Sequence, residues 1–310
     1  MRVSLRLLVP VVLIGLLWHV VDVTVVVARL RAAEPSWLLA GIALVQVQVV
    51  LSALRWRFTA GRLGQRLTVA RAVREYYLAT LLNQVLPGGM AGDAARALRA
   101  SADSASGPAV QGVVIERLAG QLALLVVTLI GLAAWPLLVD EPVPRAALLA
   151  IAAVPPLVVL GVLLVAAFAA RGPARWRRAA ASLGPAVRRT WFDDGAWLVQ
   201  GVASLGVTAS YVGVFAVAAR AGGGALPLEA LATIVPLALA SMLVPFSIGG
   251  WGLREGAAAA LWPLIGASAE AGVAASVLYG LISLAGSLPG LLVGVTLAAR
   301  HPRARADDRG

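Results

Sequence analysis

Six stretches of this 310-residue chain are long and apolar enough to cross a bilayer, and nothing else in the sequence limits the fold so strongly. They run from Leu7 to Val27, Trp37 to Leu54, Val110 to Leu138, Ala146 to Ala170, Ala196 to Ala219 and Ala271 to Ala299. A membrane-crossing helix needs roughly 20 apolar residues, and tilt absorbs the excess of the longer runs. Hydrophobic residues make up 60% of the chain and charged ones only 13%, against about a quarter charged in soluble domains. The expected fold class is an all-α polytopic membrane protein with about six transmembrane helices. The first run follows Arg2 and Arg6 and could pass for a secretory signal. It is too long for one and is read as the first span.

The arginines suggest a topology. They collect at the N-terminus, between Arg55 and Arg74, between Arg171 and Arg189, and in the tail from Arg300. Basic loops stay cytoplasmic. The links at Asp140-Glu141 and Gly222–Gly224 then face outward, and both termini lie inside, in a plasma membrane. Parity leaves two segments that must enter and leave by the same face. One lies between the second and third spans, the other between the fifth and sixth.

Each of these segments carries the same cassette. Pro87 has Gly92 five residues on and Arg96 nine on; Pro245 has Gly250 five on and Arg254 nine on. Pro87, Gly88 and Gly89 deny a helix, as do Pro245, Gly249, Gly250 and Gly252. Two re-entrant helical hairpins follow, from opposite faces, with eight full spans as the alternative. Repeat one covers about 7–138, repeat two about 146–299, and 300–310 is a basic tail. The whole of 1–299 forms a single transmembrane domain built as an inverted-topology repeat, the plan of many secondary transporters. Broken helices at membrane depth are tolerated only inside protein or beside a water-filled cavity.

A helix restarting after such a break favours anions. Asp93 is read as its cap, and Arg96 and Arg254 as phosphate-binding candidates, with Arg117, Asn83 and Ser247 beside them. Glu116, Glu255 and Asp93 are candidates to orient the arginines or carry a coupling proton. His19 and Asp22, three apart on the first span, are read as a local pair that could relay a proton. Asp193 and Asp194 look like a cap for the fifth span. The chain has no cysteine and no lysine. That excludes thiolate chemistry, Walker-type ATP hydrolysis and Schiff bases. With two histidines, no metal site is expected. No cofactor and no nucleic-acid partner are expected either.

The motifs N-x-x-L-P-G-G-x-x-G-D-x-x-R, E-R-L-x-G and V-P-x-S-I-G-G-x-G-x-R-E-G resemble the transmembrane region of lysylphosphatidylglycerol synthases and their flippase-like relatives. The resemblance extends from about Leu7 to Ala299. It implies a lipid-translocating module. The aminoacyl-transferring domain of bifunctional members is not expected here, because the chain ends at Gly310. A separately encoded lipid-modifying enzyme would then be a partner. The expected activity is movement of an anionic or zwitterionic phospholipid, or a polyprenyl-phosphate-linked lipid, between leaflets. The alternatives are a secondary transporter of a small soluble anion and a membrane enzyme acting on polyprenyl-phosphate lipids.

Overall fold

The computed structural model describes residues 21–86, 89–102, 106–139, 174–243 and 249–300, with a few single positions besides. All regular structure among them is helical. The first half contains α1 (Val23–Arg31), α2 (Pro35–Arg62), α3 (Val69–Val85), α4 (Ala91–Ala102) and α5 (Ser106–Leu138). The second contains α6 (Ala174–Trp191), α7 (Ala196–Ala221), α8 (Leu228–Ala232), α9 (Ile234–Ala240), α10 (Leu253–Leu261), α11 (Ala269–Ser287) and α12 (Pro289–Arg300).

Four helical stretches are long and apolar enough to cross a membrane: 35–62, 107–138, 193–221 and 269–297. They coincide with the second, third, fifth and sixth apolar runs. The fourth run, most of the first, Asp140, Glu141 and the tail beyond 300 lie outside the described residues. The limbs of both cassettes are shorter. α3 and α4 have 17 and 12 residues and α10 has 9, and the apolar stretch 228–243 is also under span length.

Several boundaries differ from those expected. The first run is not one helix to Val27. The chain leaves the helix at Val21, and Asp22 caps a new one, its carboxylate accepting from Thr24 N–H at 2.8 Å. His19 and Asp22 therefore do not share a helix face, and His19 is exposed. Helix α2 runs past Leu54 to Arg62, so Arg55, Arg57 and Arg62 are helical rather than loop residues. The sixth run changes helix at Pro289. Asp193 and Asp194 do not cap α7, whose cap is Gly195 without a side-chain bond. They hold arginines instead: Arg188 to Asp193 at 3.3 Å and Arg62 to Asp194 at 3.0 Å.

Helices in lipid associate through close packing rather than water exclusion, and small residues at the contacts permit it. A Cβ on Gly92 would stand 1.9 Å from the Ala79 carbonyl oxygen, joining α4 to α3. One on Gly131 would stand 2.1 Å from that of Ala232, joining α5 to α8. The main apolar core gathers α2, α7, α9 and α11. At its centre Phe215 stacks on Tyr279 at 5.2 Å. Outward positions such as Leu39, Ile130 and Leu292 are exposed, as a lipid-facing surface requires.

The packing of the first half is repeated in the second. α2 packs on α3 and α5, as α7 packs on α9 and α11. α4 packs between α3 and α5, as α10 packs between α9 and α11. Across the halves α5 meets α7 and α9, while α11 meets α2 and α3. α2 and α7, which correspond under this exchange, pack on each other.

Candidate functional site

The two helix breaks meet at the centre. A Cβ on Gly249 would lie 2.8 Å from Gln84 Oε1, so the second break abuts the end of α3. Gly89, Gly249, Gly250 and Gly252 have φ of 59°, 56°, 84° and 86°, a region where only glycine is unstrained. Pro87, Gly88, Pro245 and Ser247 lie outside the described residues. Beside this junction is a partly open cavity of ≈ 260 Å³, walled by α2, α3, α5, α7 and α11 and both breaks.

The charged part of the wall belongs to the first half. Glu116, on α5, is 1% exposed and both its oxygens are engaged. Oε1 accepts from Arg55 at 2.6 Å and from the Tyr76 hydroxyl at 3.0 Å; Oε2 accepts from Arg96 at 2.9 Å. Asp93 sits in the first turn of α4 and does not cap it. The restarting N–H of Gly92 is taken by Asn83 Oδ1 at 2.8 Å. Asp93 is thereby left to receive Arg96 on Oδ1 at 2.9 Å, with Arg117 and Asn83 on Oδ2. Arg117 also donates to the Gly89 carbonyl at 3.1 Å, tying α5 to the first break.

Arg96 and Arg254 occupy matching places but do not line the cavity. Arg96 is fully buried, with its guanidinium 4.6 Å from the Trp56 ring and 4.5 Å from that of Tyr76. Its Nε and Nη1 have no hydrogen-bond partner among the described residues, so the ring faces stabilise that charge. Arg254 lies 4.7 Å from Tyr279 and 5.3 Å from Trp251. It donates to Glu255 and to Ser276, each at 2.7 Å. Glu255 also accepts from Gly252 N–H at 2.6 Å, fixing the start of α10. Two glycines admit these guanidinium groups: a Cβ on Gly120 would lie 3.0 Å from Arg55, and one on Gly280 2.8 Å from Arg254.

Of the residues expected to bind phosphate or orient the arginines, the structure brings Arg117, Asn83, Asp93 and Glu116 together on the cavity wall, whereas Arg96 and Arg254, the expected phosphate ligands, lie behind it. Sequence reasoning missed Arg55, which lines the cavity at 4% exposure and bonds Ser204 at 3.1 Å. The signal was present: Gln48, Ser52, Arg55 and Thr59 fall at spacings of four, three and four, one polar stripe on an apolar helix, and all are buried. Tyr76, Trp56 and Tyr279 were also missed. Asp22 lies apart, donating its N–H to Glu270 at 3.4 Å.

The family model described as "Lysylphosphatidylglycerol synthase TM region" matches residues 3–290. No curated protein and no solved structure matches the chain. With the match spanning nearly all of its helices, the chain belongs to the lysylphosphatidylglycerol synthase transmembrane-region family.

Proposed function

We propose that this membrane protein moves an anionic or zwitterionic lipid between the leaflets of a plasma membrane, with both termini cytoplasmic. In this reading each half contributes a re-entrant hairpin, and the matched packing of the halves reflects an inverted repeat. The headgroup enters the cavity at the junction of the breaks while its acyl or prenyl chains remain in lipid.

One observation carries the reading. Arg117 is on the cavity wall with its side chain 34% exposed, whereas Arg55 and Arg96 are 4% and 0% exposed and locked to Glu116. A guanidinium fork matches phosphate oxygens in pairs. Arg117 can exchange its Asp93 contact for a phosphate without leaving a buried charge unpaired, because Asp93 keeps Arg96 and Asn83. Arg96 and Arg254 then hold the restarting helices in place rather than touch the headgroup. Asn83 positions the first break.

The test is leaflet exchange in reconstituted vesicles, read by dithionite quenching of an acyl-labelled fluorescent phosphatidylglycerol at matched protein density. Arg117→Gln is expected to lose most of the protein-dependent rate. Arg117→Lys should recover part of it, keeping charge but not the bidentate fork. Exchange at the unmodified rate in the Gln variant would defeat the assignment.

A further inference from the structure

Helix α6 lies across the ends of three spans rather than alongside them. The Gln111 side chain, in the second turn of α5, donates to the Ser182 hydroxyl at 2.6 Å. Seven residues further along α6, the Arg189 carbonyl accepts from Arg62, at the end of α2, at 2.9 Å. The Thr190 carbonyl accepts from Gln200, in the second turn of α7, at 3.3 Å. Seven helical residues cover about 10 Å, the separation of two packed helices, and α2 and α5 pack on each other. Helix α6 therefore runs in the plane where these spans end, at the bilayer surface.

Its two faces differ. Ala186 and Thr190 are buried and Leu183 and Val187 half-buried, one stripe at helical spacing turned to the bundle. Arg178, Gly184, Pro185, Arg188 and Arg189 are exposed. Phe192 and Trp197, 66% and 59% exposed, follow at the turn into α7, where aromatic rings mark the headgroup level. Arg57 and Arg66 are exposed at the same end of α2, and Arg62 is 25% exposed. The acids beside α6, Asp193 and Asp194, are taken by Arg188 and Arg62. Six arginines against two carboxylates leave four positive charges facing outward. The nearby Arg99–Glu75 pair is neutral. Asp103, outside the described residues, would cancel one of the four at most.

We propose that α6 is an interfacial helix whose outer face, with Arg57 and Arg66, binds anionic headgroups of the adjoining leaflet and concentrates them beside the protein. A basic helix lying in the surface plane with its apolar side covered presents its arginines to lipid phosphates. Each arginine at such a surface strengthens association about fivefold. None of these residues lines the central cavity, so this is a second lipid contact. Through Arg62 and Gln111 the bound headgroups brace the ends of α2 and α5.

The chain has no cysteine, so Gly184→Cys can carry a single bimane label, at a position where a Cβ meets nothing within 4 Å. The full chain is reconstituted in phosphatidylcholine vesicles holding a low mole fraction of doxyl-labelled phosphatidylglycerol or, separately, doxyl-labelled phosphatidylcholine. The doxyl group sits high on the acyl chain and quenches bimane only nearby. Quenching should report phosphatidylglycerol enriched about fivefold beside α6. The double change Arg188→Gln with Arg189→Gln should bring the ratio close to one, as should ~1 M salt, where charges are screened within about 3 Å. Arg178→Gln should lower it on its own, and Arg117→Gln should leave it unchanged. Equal quenching by the two lipids overturns the proposal, and polyglutamate binding to the same face would then assign it to an acidic protein. A preference that survives the double change, or that disappears with Arg117→Gln, overturns it too. Leaflet exchange in the same vesicles keeps the two readings apart. Enrichment without exchange defeats translocation alone, and exchange without enrichment defeats this site alone.

Discussion

Glu116 holds two buried arginines at once, and its removal should be the most damaging single change in the protein. Glu116→Gln keeps the shape but replaces one acceptor oxygen with an NH₂ group that faces a guanidinium. Arg96 retains Asp93 at 2.9 Å, whereas Arg55 retains only the Ser204 hydroxyl at 3.1 Å. Most of the loss therefore falls on Arg55. Breaking a buried pair by deleting one partner costs ~3–5 kcal/mol, and we expect about 4 kcal/mol here. At ~2 °C per kcal/mol for a chain of this size, the melting temperature should fall by about 8 °C. Tryptophan fluorescence in detergent suits the measurement, since Trp56 sits against Arg96. The double variant Arg55→Met with Glu116→Gln removes the unpaired cation and should recover at least half of the loss. If Glu116→Gln melts within about 1 °C of the unmodified protein, a shift worth under ~1 kcal/mol, the buried ion-pair network does not stabilise this fold.

Four further outcomes follow from the packing and the arginine distribution. Gly92→Ala drives a methyl group into the Ala79 carbonyl and should prevent α4 from docking, read as loss of monodisperse protein on gel filtration. Gly89→Ala meets nothing within 4 Å and should fold, at a strain of ~1–2 kcal/mol for its left-handed backbone. Gly280→Ala crowds Trp251 at 2.6 Å and Arg254 at 2.8 Å, and should cost about 1–3 kcal/mol as overpacking, read as a lower melting temperature. Single cysteines at the exposed positions Gly223 and Arg178 should label from outside and only after permeabilisation, respectively; external labelling at Arg178 overturns the proposed topology.

The apolar runs and the twin cassettes were legible because they depend on composition and spacing along the chain. The matching positions of Arg96 and Arg254 followed from that spacing alone. Their ring partners Trp56, Tyr76 and Tyr279 did not, because these come from other helices and nothing local links them to the cassettes. Arg55 was hidden by a charge-counting rule: an arginine ending an apolar run reads as a loop anchor, and only the stripe of Gln48, Ser52 and Thr59 marks it as inward-facing. Asp93 was misassigned because Asx residues near a break favour caps. Here Asn83, ten residues earlier in sequence, had already taken the free N–H.

The placement of the buried charges also bears on how the chain is assembled during synthesis. Arg254 meets Glu255 one residue later, so α10 emerges with its charge already neutralised. In the first half the order is unfavourable. Arg55 emerges 61 residues before Glu116, and Arg96, though preceded by Asp93, emerges 20 residues before it. An arginine alone in the bilayer centre costs ~2.5–3.5 kcal/mol on insertion scales. Helix α2 therefore cannot settle independently until α5 delivers its carboxylate, whereas α4 carries Asp93 for Arg96. The decisive moment in biogenesis is the arrival of α5: a ribosomal pause or truncation just before Glu116 would leave Arg55 without a carboxylate and Arg96 with Asp93 alone.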